Sequence, residues 1–96
     1  DDFNPRSIAE NIAKRLKQRR IELNITQKDL AEKSGVSYGS VKRFETTHEI
    51  SLKNLLMIAV VLNATEEFKY LFSRKQYTSI DEVVKLSEVK RRKRAR

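Results

Sequence analysis

Few residues in this chain are suited to bond chemistry. Cysteine is absent, which removes a disulfide scaffold, a cysteine zinc site and a thiol nucleophile. His48 is the single histidine, so neither a histidine metal cluster nor a histidine dyad can be built. Paired carboxylates occur at Glu66–Glu67 and Asp81–Glu82. Sequential neighbours on a helix point about 100° apart, so each pair reads better as favourable charge at a helix N-terminus. No glycine-rich phosphate loop follows a strand pattern. The expectation is a protein that is not an enzyme, with no catalytic residue, no metal and no cofactor. What the chain does carry is positive charge: 21 Lys and Arg against 13 Asp and Glu, a net +8.

That excess is concentrated. Residues 90–96 read Lys-Arg-Arg-Lys-Arg-Ala-Arg, leaving 15 positive and 13 negative charges in residues 1–89. A block of cations with no apolar face is expected to be disordered alone, and suits phosphates or an acidic partner surface. The longest apolar run, Leu55–Leu62, is far short of the roughly 20 residues that span a bilayer. The N-terminus shows no basic-then-apolar signal pattern, so no membrane association and a cytoplasmic location are expected. The first residue is Asp1 rather than methionine, so a natural start is expected upstream. Two triplets, Asn24-Ile-Thr26 and Asn63-Ala-Thr65, match a glycosylation pattern and read as coincidence.

The elements that must position these groups are helical. Two glycines and one proline in 96 residues leave few breaks and disfavour a turn-rich all-β fold. Ser7-Ile-Ala-Glu10 is a capping box that opens a first helix ending near Glu22–Leu23, with Ile8, Ile12, Leu16 and Leu23 near one face. Thr26 starts a second helix with Leu30 and Ala31 buried, and Gly35 stops it. Ser37 caps a third, carrying Val41 and Phe44. Ser51 caps a fourth, apolar nearly all round and so expected to be the central buried helix. Thr65 caps a fifth, with Phe68, Leu71 and Phe72 apolar. Ser79-Ile-Asp-Glu82 is a further capping box, opening a segment with Ile80, Val83, Val84, Leu86 and Val89. The expected organisation is an N-terminal arm at 1–6, a domain at 7–73, and a C-terminal extension with a basic tail at 74–96.

Gln27 to Thr46 is the most informative stretch. Two short helices crossing at a steep angle need a small residue where backbones approach, which Ala31 supplies. They need a residue that tolerates a left-handed turn, which Gly35 supplies. They need apolar residues to close the corner, at Leu30, Val36, Val41 and Phe44. With Leu-Asn-Ile-Thr-Gln at 23–27, Leu-Ala at 30–31, Ser-Gly-Val-Ser at 34–37 and Val-Lys-Arg-Phe-Glu at 41–45, residues 8–72 resemble the phage-repressor-type (Xre/Cro-like) helix-turn-helix family. The resemblance implies an all-α, five-helix lambda-repressor-like helix-turn-helix domain with a C-terminal extension.

It also implies roles by position. The helix at 37–45 would lie in the major groove of double-stranded DNA. Ser37, Tyr38 and Gly39 would face DNA, followed one turn later by Lys42 and Arg43. Arg43 suits bidentate contact with guanine O6 and N7. Gln27 would hold a phosphate, and Thr46, with Thr47 and His48, would sit near the backbone at the far end. Gly39 departs from the family, whose members often place a long polar base reader there; it either allows close approach or reads fewer bases. Thr46-Thr47 replaces a frequent Asn-Gly. In related repressors an arginine late in the first helix pairs with a glutamate ending the recognition helix, and Arg20 and Glu45 hold those positions. Read without the family, the alternative for Tyr38 is a packed surface aromatic, and for Lys42 and Arg43 a solvated basic face.

Three functions follow as expectations. One is a transcriptional repressor acting as a homodimer, paired through Phe72, Tyr77, Ile80, Val83 and Val84. A second is an antitoxin that represses its own operon, since residues 79–96 look like the small partners of HipA-type kinase toxins. A third is an RNA- or protein-binding adaptor. The tail gives a first prediction. Each phosphate neutralised steepens log K against log salt by about 0.9 on duplex DNA. If three or four tail cations engage, deleting residues 90–96 flattens that slope by about 3 while sequence preference survives. Binding isotherms across a salt series check this; an unchanged slope removes the tail from the DNA contact.

Overall fold

The computed structural model describes residues 4–75. Among them the chain is all helical: α1 Pro5–Glu22, α2 Gln27–Ser34, α3 Tyr38–Thr47, α4 Leu52–Val61 and α5 Thr65–Phe68. The expected extension, with its capping box at Ser79 and the cationic run at 90–96, lies outside the described residues. None of the described helices is long and apolar enough to cross a membrane.

Each boundary has a local cause. α1 begins two residues before the expected capping box. Pro5 has a backbone angle already set for a first helical position, and Asn4 accepts the Ser7 amide at 2.8 Å through its side chain. Ser7 is therefore inside the helix, its hydroxyl donating to the Asn4 carbonyl at 3.1 Å. Thr26, Ser37 and Ser51 cap α2, α3 and α4, accepting the amides of Asp29, Ser40 and Asn54. Thr65 was expected to cap α5 but is its first residue; Ala64 precedes it and offers no side-chain acceptor.

The exits use left-handed residues. α1 and α4 both close in Schellman turns. Asn24 (φ 57°) and Asn63 (φ 55°) carry the reversal, with Ile25 N donating to Arg20 O at 3.1 Å and Ala64 N to Ala59 O at 2.8 Å. The two apparent glycosylation triplets are thus turn chemistry, since asparagine tolerates this conformation better than most residues. Gly35 ends α2 at φ 77°, where a Cβ would also come within 3.4 Å of the Met57 methyl. Ser34, buried, accepts the Val36 amide at 3.1 Å and so closes the same turn from inside.

α2 packs on both α3 and α4, α1 on α3, and α5 on α4. The core joins Ala13 and Leu16 from α1, Leu30 and Ala31 from α2, Val36 from the turn, and Val41 and Phe44 from α3. Ile58, Ala59, Leu62 and Ala64 complete it, with Ile25, Ile50, Leu55, Met57, Val61 and Phe68 half-buried around them. Two expectations need correction. α4 is not buried all round: Leu52 (68% exposed) and Val60 (64%) form an outward stripe with Leu56. Ile8, Ile12 and Leu23 also stay exposed. α1 has 18 residues against 8 to 10 in α2, α3 and α4, so it outreaches the helices it packs on.

Two ion pairs tie distant elements. Arg19 grips Glu67 through Nη1 and Nη2 of its guanidinium and reaches the Asn63 carbonyl at 3.5 Å, clamping the short α5 onto α1. The hydrogen bond from Arg19 holds the Glu67 carboxyl below the ordinary glutamate range, against the opposing effect of desolvation. The second pair is nearly dry: Arg20 and Glu45 side chains are 11% and 6% exposed. Arg20 Nε and Nη2 donate to Glu45 at 2.7 and 3.0 Å, Gln27 Nε2 donates to the same carboxylate at 2.8 Å, and Arg20 Nη1 donates to Ile25 O at 2.8 Å. Removing one partner of such a pair strands a charge away from water. Glu45→Ala is expected to cost about 3–5 kcal/mol of unfolding free energy, and an Arg20/Glu45 double-mutant cycle by denaturant titration should show coupling. Additive single-mutant losses would contradict the network.

Candidate nucleic-acid interface

α3 has two sides. Val41 and Phe44 are buried, while Tyr38, Gly39, Lys42 and Arg43 are exposed. This follows from spacing: 41 and 44 share one face at i, i+3, and 38, 39, 42 and 43 fill the opposite arc. α3 runs to Thr47 rather than stopping at Glu45, because His48 supplies the left-handed cap at φ 66°. The hydroxyls of Thr46 and Thr47 donate to the carbonyls of Lys42 and Arg43, each at 2.8 Å, which ties both side chains back onto the helix.

The residues singled out from the sequence fall into two groups. Ser37, Thr46 and Gln27 are held by contacts within the fold. Ser37 caps α3, accepting the Ser40 amide at 3.1 Å and donating to Ser40 Oγ at 2.8 Å. Gln27 is half-buried and bonded to Glu45, although an amide nitrogen carries a second hydrogen not used there. The outward group is cationic and aromatic. Lys42 Nζ lies 4.3 Å from the Tyr38 ring centroid and Lys28 Nζ 5.8 Å from it. A cation at such distances is attracted by the ring face, so Tyr38 gathers one lysine from α2 and one from α3. Lys28 was missed in the sequence, although it directly follows Gln27 at the start of α2. Glu49 was missed too. Its carboxylate accepts from Arg43 Nη2 at 3.0 Å, with both side chains about two-thirds exposed (67% and 68%). Six residues apart is no helical spacing; only the turn at His48 brings them together. Among the described residues, no group of three or more His, Asp or Glu could hold a metal ion.

A family model described as Helix-turn-helix matches residues 16–69, more than half of the chain. The chain belongs to the helix-turn-helix family. This is a DNA-binding family, and its span covers α2, the Gly35 turn and α3. Neither a curated protein nor a solved structure matches the chain. The kinase-toxin partner expected from residues 79–96 gains no support, and those residues lie outside the described ones.

Gly39 is the anomaly of this helix-turn-helix surface. It sits in the first turn of α3, where glycine costs about 0.5–1 kcal/mol relative to alanine. Yet a Cβ there would meet nothing within 4 Å, so internal packing gives no reason for it. Gly39→Ala is expected to raise unfolding free energy by about 0.5–1 kcal/mol and, on the expectation that this face meets DNA, to weaken duplex binding. Chemical denaturation and a binding titration on one preparation check both; stabilisation with unchanged binding would remove the close-approach role.

Proposed function

We propose that this protein is a sequence-specific transcriptional repressor that places α3 in the major groove. The observation that carries the reading is the outward arc of α3, which combines Arg43, Lys42, Tyr38 and an unhindered Gly39 on a helix whose other side is anchored in the core. Arg43 reads guanine by its planar pair of donors. Lys42 and Lys28, gathered on Tyr38, contact backbone phosphates, and Gln27 adds a phosphate contact at the start of α2. Tyr38 acts chiefly by placing the two lysines. Ser37 and Thr46 shape the two ends of the reading helix.

The protein works as a homodimer, because one helix-turn-helix unit buries little surface and two half-sites about 34 Å apart match a two-fold pair. Support comes from Phe72, which is 98% exposed, beside exposed Tyr70 and Leu71. Of the other residues expected at that interface, Tyr77, Ile80, Val83 and Val84 lie outside the described residues.

Selection from random duplexes supplies a cognate site, and two variants then separate reading from anchoring. Arg43→Ala is expected to lose about 1–3 kcal/mol at that site and to relax one base position. Lys28→Gln is expected to weaken all duplexes alike and to reduce the salt slope by about 0.9. Equal losses on cognate and random DNA for Arg43→Ala would overturn the base-reading assignment.

A further inference from the structure

We infer that Glu49 is a specificity-determining residue, which holds Arg43 for a guanine edge and keeps it from phosphates. The inference rests on Arg43 being the base reader. Its geometry begins at His48, a non-glycine residue held left-handed at φ 66° with its amide donating to Phe44 O at 2.8 Å. That turn reverses the chain, so Glu49 comes back beside the helix it has just left. The Glu49 carboxylate takes a single guanidinium hydrogen, from Nη2, at 3.0 Å. The two side chains share the wall of an open hollow of about 510 Å3 between the end of α3 and the start of α4.

A guanidinium has five donors in one plane, and bidentate contact with guanine N7 and O6 takes two. One hydrogen given to Glu49 therefore leaves enough for the base. A phosphate makes a different demand. It is itself an anion, so bringing it to Arg43 sets it against the Glu49 carboxylate, or requires the pair to break. Contact with a neutral base edge adds no such repulsion. The carboxylate thus penalises Arg43 on random DNA more than on the cognate site, which is discrimination by a built-in repulsion as well as by an attractive contact. An exposed ion pair is weak enough to be exchanged during binding rather than to lock the side chain.

The test uses the full chain, a 20-base-pair duplex carrying the site selected from random DNA, and a random-sequence duplex of equal length. Wild type, Glu49→Gln, Arg43→Ala and the double variant are titrated at matched salt. Glu49 is exposed, and thermal melting establishes that each variant is folded. Wild type must first prefer the selected duplex; no preference would refute the reader assignment itself, independently of Glu49. Given that preference, Glu49→Gln is expected to tighten binding to the random duplex and lower the cognate-to-random ratio about threefold, the scale of one exposed ion pair. In the Arg43→Ala background the same substitution should leave the ratio unchanged. A ratio unaltered by Glu49→Gln in the wild-type background, with both duplexes bound more tightly alike, would reduce Glu49 to general charge and overturn the inference. So would an equal fall in the ratio when Arg43 is absent.

Discussion

The fold turns on one carboxylate. Glu45 is 6% exposed and ends the apolar side of α3 with a charge. It is tolerable there because two donors from Arg20 and one from Gln27 meet it. Apolar packing of Val41 and Phe44 holds α3 to the body, but such contacts are non-directional and allow a helix to slide or roll. The carboxylate supplies direction. Arg20 also holds the Ile25 carbonyl in the turn after α1, so one arginine ties that turn to the far end of α3, and Gln27 brings the start of α2 to the same carboxylate. The pair need not add net stability over an apolar alternative. What it adds is a defined orientation for the arc carrying Tyr38, Lys42 and Arg43.

That arc is free to meet DNA because other polar side chains are committed elsewhere. Ser37 caps the start of α3 and Ser34 closes the turn before it, while the Thr46 and Thr47 hydroxyls fold back onto carbonyls of the helix. Backbone groups at helix ends are obligatory hydrogen-bonding partners. Satisfying them locally leaves Lys28, Lys42 and Arg43 to face outward. The ring of Tyr38 and the carboxylate of Glu49 then set where those cations stand. Charge at the surface is thus arranged by weak contacts on a strongly fixed helix.

Much of this was legible in the sequence, for reasons that are local. Thr26, Ser37 and Ser51 mark helix starts because a side-chain oxygen can reach an amide three residues on. Gly35 marks the turn because a positive φ suits few other residues. The Arg20–Glu45 pair came from family resemblance rather than spacing, being 25 residues apart. What stayed hidden depends on tertiary placement. The apolar run at 55–62 suggested burial on every side, yet Leu56 and Val60 face outward, since composition gives the hydrophobicity of a helix and not the number of its neighbours. Ser7 resembles a cap, but Asn4 followed by Pro5 is the stronger start. Glu49 was hidden because its meeting with Arg43, six residues away, depends on the left-handed turn at His48 and not on any helical spacing.

The central claim is that α3, oriented by Glu45, lies in the major groove. Dimethyl sulfate reports on this directly, because it methylates guanine N7 in the major groove and adenine N3 in the minor groove. On a duplex carrying the selected site, the account predicts that bound protein protects guanine N7 within each half-site while adenine N3 elsewhere in the same half-sites stays reactive. Protection of adenine N3 with guanine N7 fully reactive would place the protein in the minor groove and contradict it.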